Sequence, residues 1–186
     1  MLETLSNSEI LSEYVLSKII RYNHRRKLQD ESVAEHSFFV SLFCLKIMSK
    51  LNLPADIERE VLILAALHDA AESKTSDIPH DVKANYPEMR DILDRVECDY
   101  YNKHWKSYFD YVQNPKTVVE YIIKLADAYS VYQYCLNEQE LGNISDDMTE
   151  IKQEACERIM FFTAKVNEEI VKIEKEGKHY AKEQQS

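Results

Sequence analysis

Two histidines and two aspartates interrupt stretches of apolar residues that otherwise repeat at helical spacing: His36, His68, Asp69 and Asp127. Each has an apolar neighbour three or four positions away, so each side chain is expected to point into a helical core. An ionised aspartate there is strongly disfavoured unless it is paired or bound to a metal. Imidazole and carboxylate together suit Mn, Fe, Co, Ni or Zn, whereas Mg and Ca prefer oxygen alone. The four residues therefore predict a site for one divalent transition metal, although a hydrogen-bonded core residue or a helix cap would explain each of them singly.

A fifth polar residue, Glu72, follows His68 by four positions and Asp69 by three, so it shares their helix face one turn on. A carboxylate beside a metal-bound water can orient that water or take its proton. A solvated glutamate near a helix end is the alternative. Asp77 lies in the segment that follows, where it could hold a sugar hydroxyl or serve only in a turn.

Helices must bring these side chains together, and the apolar periodicity predicts five or six long ones in an all-α bundle. A capping box at Ser32 and Glu35 opens the helix of His36, and Pro54 opens the helix that ends near His68. The other helices are predicted over residues 8–21, 88–111, from 115 onward and over 145–174, with a loop at 75–81. We expect one domain over residues 1–186, with a charged, frayed tail at about 176–186.

Composition narrows the possible functions. The 186 residues contain two glycines, which excludes the glycine-rich loops that bind dinucleotides or nucleoside triphosphates. A net charge of −10 argues against a nucleic-acid polymer as partner. The longest apolar run, residues 61–67, is too short to span a membrane. Four scattered cysteines and a first segment unlike a signal peptide favour a reduced, cytoplasmic protein.

The order of the ligand-type residues resembles a known signature. His36, the His68-Asp69 pair and Asp127 are similar to the H…HD…D pattern of the HD-domain metal-dependent phosphohydrolases. The surrounding sequence resembles one subgroup, the YfbR-like bacterial and phage 5′-deoxynucleotidases. The matching stretches are residues 21–22, 31–37, 68–72, 77–79 and 124–128.

This resemblance implies an HD-domain bundle in which His36, His68, Asp69 and Asp127 hold one divalent ion. It implies hydrolysis of the 5′-phosphate of deoxyribonucleoside monophosphates, which gives deoxynucleoside and phosphate. Glu72 would activate the water. The residues expected to bind the nucleotide are Arg21, Tyr22, His36, Asp69, Asp77, Ile78, Pro79, His80 and Asp127.

Within that set, the resemblance implies that Arg21 orients the phosphate and that residues 77–80 contact the sugar. The ring of Tyr22 would pack against the sugar and leave no room for a 2′-hydroxyl. Tyr22 stands where the best-known members carry tryptophan, and His80 replaces a small polar residue. A homodimer is implied as well, with the tyrosine-rich late helices as a possible interface.

Two other functions fit the same sequence. Similar phage enzymes remove triphosphate from dATP, and Arg25, Arg26 and Lys27 could serve the extra phosphates. A non-catalytic HD module that binds a nucleotide as a signal is the other alternative. The presence of Glu72 beside all four predicted ligands argues against that second function.

Overall fold

Apolar residues at helical spacing form eight α-helices within the described part of the chain. The structure is a computed structural model that describes residues 13–183, without the side chains of residues 80, 81, 84 and 176–183. The helices are α1 Val33–Met48, α2 Ala55–Leu67, α3 Glu72–Thr75, α4 His80–Asn85, α5 Pro87–His104, α6 Phe109–Gln113, α7 Thr117–Glu140 and α8 Asp146–Glu183. Short 3₁₀ helices span Val15–Lys18 and Lys106–Tyr108, and one isolated bridge pairs Ile20 with Ser32.

Helix α7 occupies the centre of the bundle, and α1, α2 and α8 all pack against it. Their shared core is formed by buried aliphatic residues, among them Val40, Val61, Val119, Ile122 and Ala126. Five helices are longer than ten residues, which confirms the predicted all-α bundle of five to six main helices. None of the described helices has the length and apolar character needed to cross a membrane.

The predicted capping box begins α1. Ser32 Oγ accepts a hydrogen bond from the Glu35 amide at 3.2 Å, and the Glu35 carboxylate accepts one from the Ser32 amide at 2.8 Å. These bonds satisfy amide groups that the first helical turn leaves free. The cap fixes the start of α1, so that His36 lies one turn inside the helix with its side chain buried.

The predicted first helix is wrong at its end. Residues 8–12 lie outside the described chain, and the helical turns stop at Lys18 rather than at residue 21. Ile19 is extended, and its carbonyl accepts a hydrogen bond from the Val33 amide at 2.9 Å. The Arg21 amide likewise donates to the Glu31 carbonyl at 2.9 Å. Because residues 19–21 pair with the segment before α1, Arg21 lies in a turn and does not end a helix.

Two later helices also differ from the prediction. The single helix expected over 88–111 is interrupted at Trp105, whose φ of −129° and ψ of 35° leave the helical region. The Trp105 indole donates to the hydroxyl of Tyr100 at 3.3 Å, which favours the break. Helix α8 extends to Glu183, past the predicted end near 174, and residues 184–186 of the predicted tail lie outside the described chain.

A buried carboxylate links the loop before α1 to the end of α7. Glu138 is fully buried and accepts hydrogen bonds from the amides of Leu28 and Gln29 at 2.8 Å each. The side-chain amide of Asn143 also donates to Glu138, at 2.6 Å. These bonds fix the loop that connects Arg21 to α1.

Candidate metal centre

Three helices bring the four predicted ligands to the wall of one cavity of about 600 Å³. His36 comes from α1, His68 and Asp69 follow the last turn of α2, and Asp127 comes from α7. One ligand atom from each of His36, His68 and Asp69 lies within 4.8 Å of the others. Asp127 Oδ1 lies 3.3 Å from His36 Nε2, which places the fourth residue beside the cluster.

Hydrogen bonds on the far side of each imidazole orient the Nε2 atoms. His68 Nδ1 lies 2.9 Å from the Ala65 carbonyl, and His36 Nδ1 lies 3.0 Å from Ser130 Oγ. A carbonyl only accepts, so Nδ1 of His68 carries a proton and Nε2 is the nitrogen that a metal could bind. That Nε2 atom is buried, lies 3.2 Å from Asp69 Oδ2 and makes no well-aligned hydrogen bond among the described residues. The donor set therefore fits a divalent transition metal.

The electrostatics of the cluster keep its carboxylates ionised. Burial alone would raise the pKa of Asp69 and Asp127, but His68 beside the first and His36 beside the second hold both values below the usual range. Burial, with the charge of Arg21, lowers the pKa of His36. Burial alone would lower the pKa of His68, but the charges of Asp69 and Asp127 beside it raise that pKa to about 9. Because an ionised carboxylate and a neutral imidazole are the forms that bind metals, a metal ion would have to displace one proton from His68.

Glu72 begins α3 and lies on the wall of the same cavity. Its Oε2 atom is buried and has no hydrogen-bond partner among the described residues. Burial, together with the charges of Asp69 and Asp77, raises the pKa of Glu72 to about 8. A carboxylate whose pKa lies close to neutral is suited to proton transfer.

The turn after the first 3₁₀ helix carries Arg21 and Tyr22 to the cavity. Arg21 Nη1 bonds to Glu31 at 2.8 Å, and its guanidinium carbon lies 5.0 Å from the centre of the Tyr22 ring. That ring also stacks on Tyr134, with centroids 4.9 Å apart and planes at 16°. Tyr134 and Arg21 therefore both contact the Tyr22 ring, which also lines the cavity.

The predicted sugar-binding segment reaches the same cavity. Asp77, Ile78 and Pro79 line it, while the side chain of His80 lies outside the described residues. Asp77 Oδ2 accepts a hydrogen bond from the Tyr22 amide at 3.2 Å. Asp77 thus connects the two segments expected to bind the nucleotide.

Three residues that contact the site were missed by the sequence reasoning: Glu31, Ser130 and Arg158. Ser130 follows Asp127 by three residues on α7, a spacing that could have placed it on the same face. Arg158 lies seven residues after Ile151 on α8, where a charged residue in an apolar stripe was a usable signal. Glu31 reaches Arg21 only through the fold of the loop, which periodicity does not encode.

A family model covers most of the sequence. The model described as "5′-deoxynucleotidase YfbR-like" matches residues 11–173. The chain belongs to the YfbR-like family. The YfbR-like match contains all five of the stretches that carry the resemblance, together with Ser130 and Arg158.

Individual proteins and a solved structure are also similar to this chain. A 5′-deoxynucleotidase of Photorhabdus temperata is 26% identical over 153 residues, which are 75% of this chain and 77% of that protein. A dATP triphosphohydrolase of Cyanophage S-2L is 29% identical over 95 residues, covering 51% of this chain and 53% of that protein. The structure of a Cyanophage S-2L HD phosphohydrolase, bound to dA and one catalytic Zn²⁺, superposes with a TM-score of 0.67. It is 17% identical and covers 90% of this chain and 99% of that one, so it shows the HD fold.

Proposed function

We propose that this protein is a metal-dependent 5′-deoxynucleotidase, which hydrolyses deoxyribonucleoside monophosphates to deoxynucleoside and phosphate. The convergence of His36, His68, Asp69 and Asp127 on one cavity, next to Glu72, carries the proposal. Membership of the YfbR-like family and the name of the Photorhabdus relative support this substrate class.

Each part of the cavity is given one chemical task. The four predicted ligands would hold one divalent transition metal, which supplies Lewis acidity and lowers the pKa of water. Glu72 in its ionised form takes a proton from the attacking water, and because its pKa is raised to about 8 this form becomes more abundant as the pH rises toward 8. The guanidinium of Arg21 binds two phosphate oxygens and orients the phosphorus for attack. As the water oxygen bonds to phosphorus, the P–O5′ bond breaks, and the proton that Glu72 took from the water passes to the 5′-oxygen, so that nucleoside and phosphate are released.

The nucleoside half is assigned to the loop segments. Asp77, Ile78, Pro79 and His80 would contact the sugar, and the Tyr22 ring would limit space near its 2′ carbon. Asp77 accepts a hydrogen bond from the Tyr22 amide, so a movement of Asp77 on sugar binding would also move Tyr22. We therefore propose a preference for deoxyribonucleotides over ribonucleotides.

The deciding experiment measures phosphate release from all deoxy- and ribonucleoside monophosphates, each with Mn²⁺, Co²⁺, Zn²⁺, Ni²⁺ and Mg²⁺. We expect turnover of dAMP or another deoxynucleotide with at least one transition metal. The matching ribonucleotide should have a lower kcat/KM. Tight nucleotide binding without turnover under every condition would instead favour a non-catalytic HD module. Equal kcat/KM for both sugars would refute the deoxy preference.

Triphosphate hydrolysis is the second candidate, because one relative is a dATP triphosphohydrolase. Arg25 lines the cavity and could meet additional phosphates. Lys27 instead pairs with Asp30 at 2.8 Å and donates to the Arg21 carbonyl, so it is already committed within its own loop. Assays with dATP distinguish the candidates, since a triphosphohydrolase releases intact triphosphate from dATP and leaves dAMP unchanged.

We also propose a homodimer in the cytoplasm. On α1, Phe38 is 60% exposed and Leu45 is 46% exposed, an apolar surface that a second copy could cover. Tyr100 and Tyr101 of α5 are buried within their own subunit, whereas Tyr108 and Tyr129 are exposed, so the tyrosine-rich late segments are the alternative interface. The four free thiols fit a reducing compartment. Light scattering coupled to gel filtration gives the oligomeric state, and Phe38→Glu should yield monomer if α1 forms the contact.

A further inference from the structure

An arginine from the last helix contacts the fourth predicted metal ligand. Arg158 lies on α8 and beyond the stretches that resemble the family signature. Its Nη2 atom donates to Asp127 Oδ2 at 2.6 Å, and its side chain lines the cavity. Asp127 is therefore held from two sides, by α7 through its backbone and by α8 through its carboxylate.

The two oxygens of Asp127 have different neighbours. Oδ1 faces His36 Nε2 at 3.3 Å, on the side of the ligand cluster, whereas Oδ2 is the atom that Arg158 binds. A carboxylate free to rotate could turn either oxygen, or both, toward a cation. A charge-assisted hydrogen bond to one oxygen restricts that rotation and leaves the other oxygen directed at the cluster.

We propose that Arg158 is a positioning residue that holds Asp127 so that Oδ1 is presented to the metal. This inference rests on the proposed metal site. It gives α8 a role in the metal centre, although α8 supplies none of the four predicted ligands. Groups that hydrogen-bond to a metal ligand typically change metal affinity or activity by about 10–100-fold when they are removed.

A competing effect has the opposite sign. The positive charge of Arg158 could repel a cation, or the arginine could occupy Asp127 in place of the metal. Its removal would then tighten metal binding. The side chain is 42% exposed, so solvent screens the repulsion, whereas the short contact with Asp127 is directional. Positioning is therefore expected to outweigh repulsion.

The test measures metal affinity and needs no substrate. Full-length metal-free protein is titrated with Co²⁺ in competition with a chromophoric chelator, and the visible spectrum of the bound Co²⁺ is recorded. Arg158→Ala and Arg158→Met should each weaken Co²⁺ binding by about 10–100-fold and alter the spectrum. Arg158→Met keeps an unbranched, helix-compatible side chain, so it guards against a general disturbance of α8.

Two controls give the result its meaning. Arg25→Ala removes another cation from the cavity wall, one that pairs with Asp147 at 3.5 Å, and should leave Co²⁺ affinity within about twofold of wild type. Metal-free Arg158→Ala and Arg158→Met should keep the helical circular-dichroism spectrum of wild type, which shows that a change in Co²⁺ affinity does not come from loss of fold. Unchanged or tighter Co²⁺ binding by both Arg158 variants would overturn the inference. Loss of the proposed function is seen separately, as absence of Co²⁺ binding or of dAMP hydrolysis in wild type.

Discussion

The two halves of the cavity are built in different ways. On the side proposed to bind the metal, called the metal side, His36 and Asp127 lie within long helices, and His68 and Asp69 follow directly on a third. On the side proposed to bind the nucleotide, called the nucleotide side, Arg21 and Tyr22 lie in a turn, and residues 76–79 form a non-helical link between α3 and α4. Long helices hold the first set through a packed core, whereas the second set is held outside long helices by hydrogen bonds and by the stacking of Tyr22 on Tyr134.

Backbone geometry shows the same contrast. Within residues 13–183, the non-glycine residues with positive φ are Tyr22 at 57° and Ser76 at 61°, and both belong to the nucleotide side. Such a conformation costs an L-residue roughly 1–2 kcal/mol, so surrounding contacts must maintain it. Asp77 binds the Tyr22 amide, and the Ser76 amide donates to the Glu72 carbonyl at 2.8 Å. We therefore expect a substitution of a predicted metal ligand to abolish metal binding and activity, and a substitution on the nucleotide side to lower activity only in part.

Loss of a ligand should have the largest effect. His68→Ala is expected to remove the bound metal and lower kcat/KM by about 10³-fold or more, since a metal contributes several kcal/mol to such chemistry. Elemental analysis of protein purified without chelator should find close to one transition metal per wild-type chain and little in the variant. Full metal occupancy in His68→Ala and Asp69→Ala would contradict the assignment of both ligands.

The second effect separates metal binding from proton transfer. Glu72→Gln should retain the metal but lose about 10²–10⁴-fold in kcat, the usual contribution of a positioned acid–base group. The measurements are steady-state kinetics and metal content on the same preparation. A variant with wild-type kcat would return Glu72 to the role of a cavity-wall residue.

A graded effect is expected at Tyr22. Tyr22→Ala removes the ring against which Arg21 packs, so KM should rise for dAMP and AMP alike, by roughly 2–10-fold for a contact of this type. If the ring also limits space at the sugar, the ratio of kcat/KM for dAMP to that for AMP should fall. Tyr22→Phe is the matched control, because it keeps the ring and should keep both values. An unchanged sugar ratio in Tyr22→Ala would remove Tyr22 from sugar selection.

The smallest effect concerns stability and pH. Burial and the charges of Asp69 and Asp77 raise the pKa of Glu72 from 4.5 to about 8, so the folded state favours its protonated form. Its contribution to stability is complete below pH 4.5 and is lost as pH rises through 8. Metal-free Glu72→Gln should therefore melt higher than metal-free wild type at pH 9, where ~1 kcal/mol corresponds to about 2–4 °C, with a smaller gap at pH 5. Thermal unfolding in the presence of a chelator measures this difference in Tm between variant and wild type. An equal difference at pH 5 and pH 9 would exclude the ionisation of Glu72 as its cause.

The sequence predicted the helices that carry the proposed metal ligands better than the turns that carry the proposed nucleotide-binding residues. Apolar spacing correctly anticipated the bundle, and the capping box correctly placed the start of α1 ahead of His36. The turn at Arg21 was predicted as helix, because its apolar neighbours do have helical spacing. What decides its conformation is pairing with residues 31–33 and the bond from Tyr22 to Asp77, 55 positions away.

Long-range contacts explain the other omissions as well. Arg158 meets Asp127 across 31 residues, and Glu31 meets Arg21 through a loop whose path is not periodic. Local patterns such as hydrophobic spacing describe one element at a time. Contacts between elements depend on how the elements pack. The side chains that contact the predicted ligands could therefore not be predicted from the sequence and were found only in the structure.

The hydrogen bonds of Glu138 affect which parts of the molecule can open locally. Its buried carboxylate holds the amides of Leu28 and Gln29 and is itself bonded to Asn143, just past α7. The loop that contains Leu28 and Gln29 cannot open while Glu138 stays buried, because opening of the loop alone would leave the buried carboxylate without its hydrogen-bond donors. The loop and the α7–α8 junction should therefore open together as one cooperative unit, with matching hydrogen-exchange protection at residues 28, 29 and 143 despite their distance in sequence.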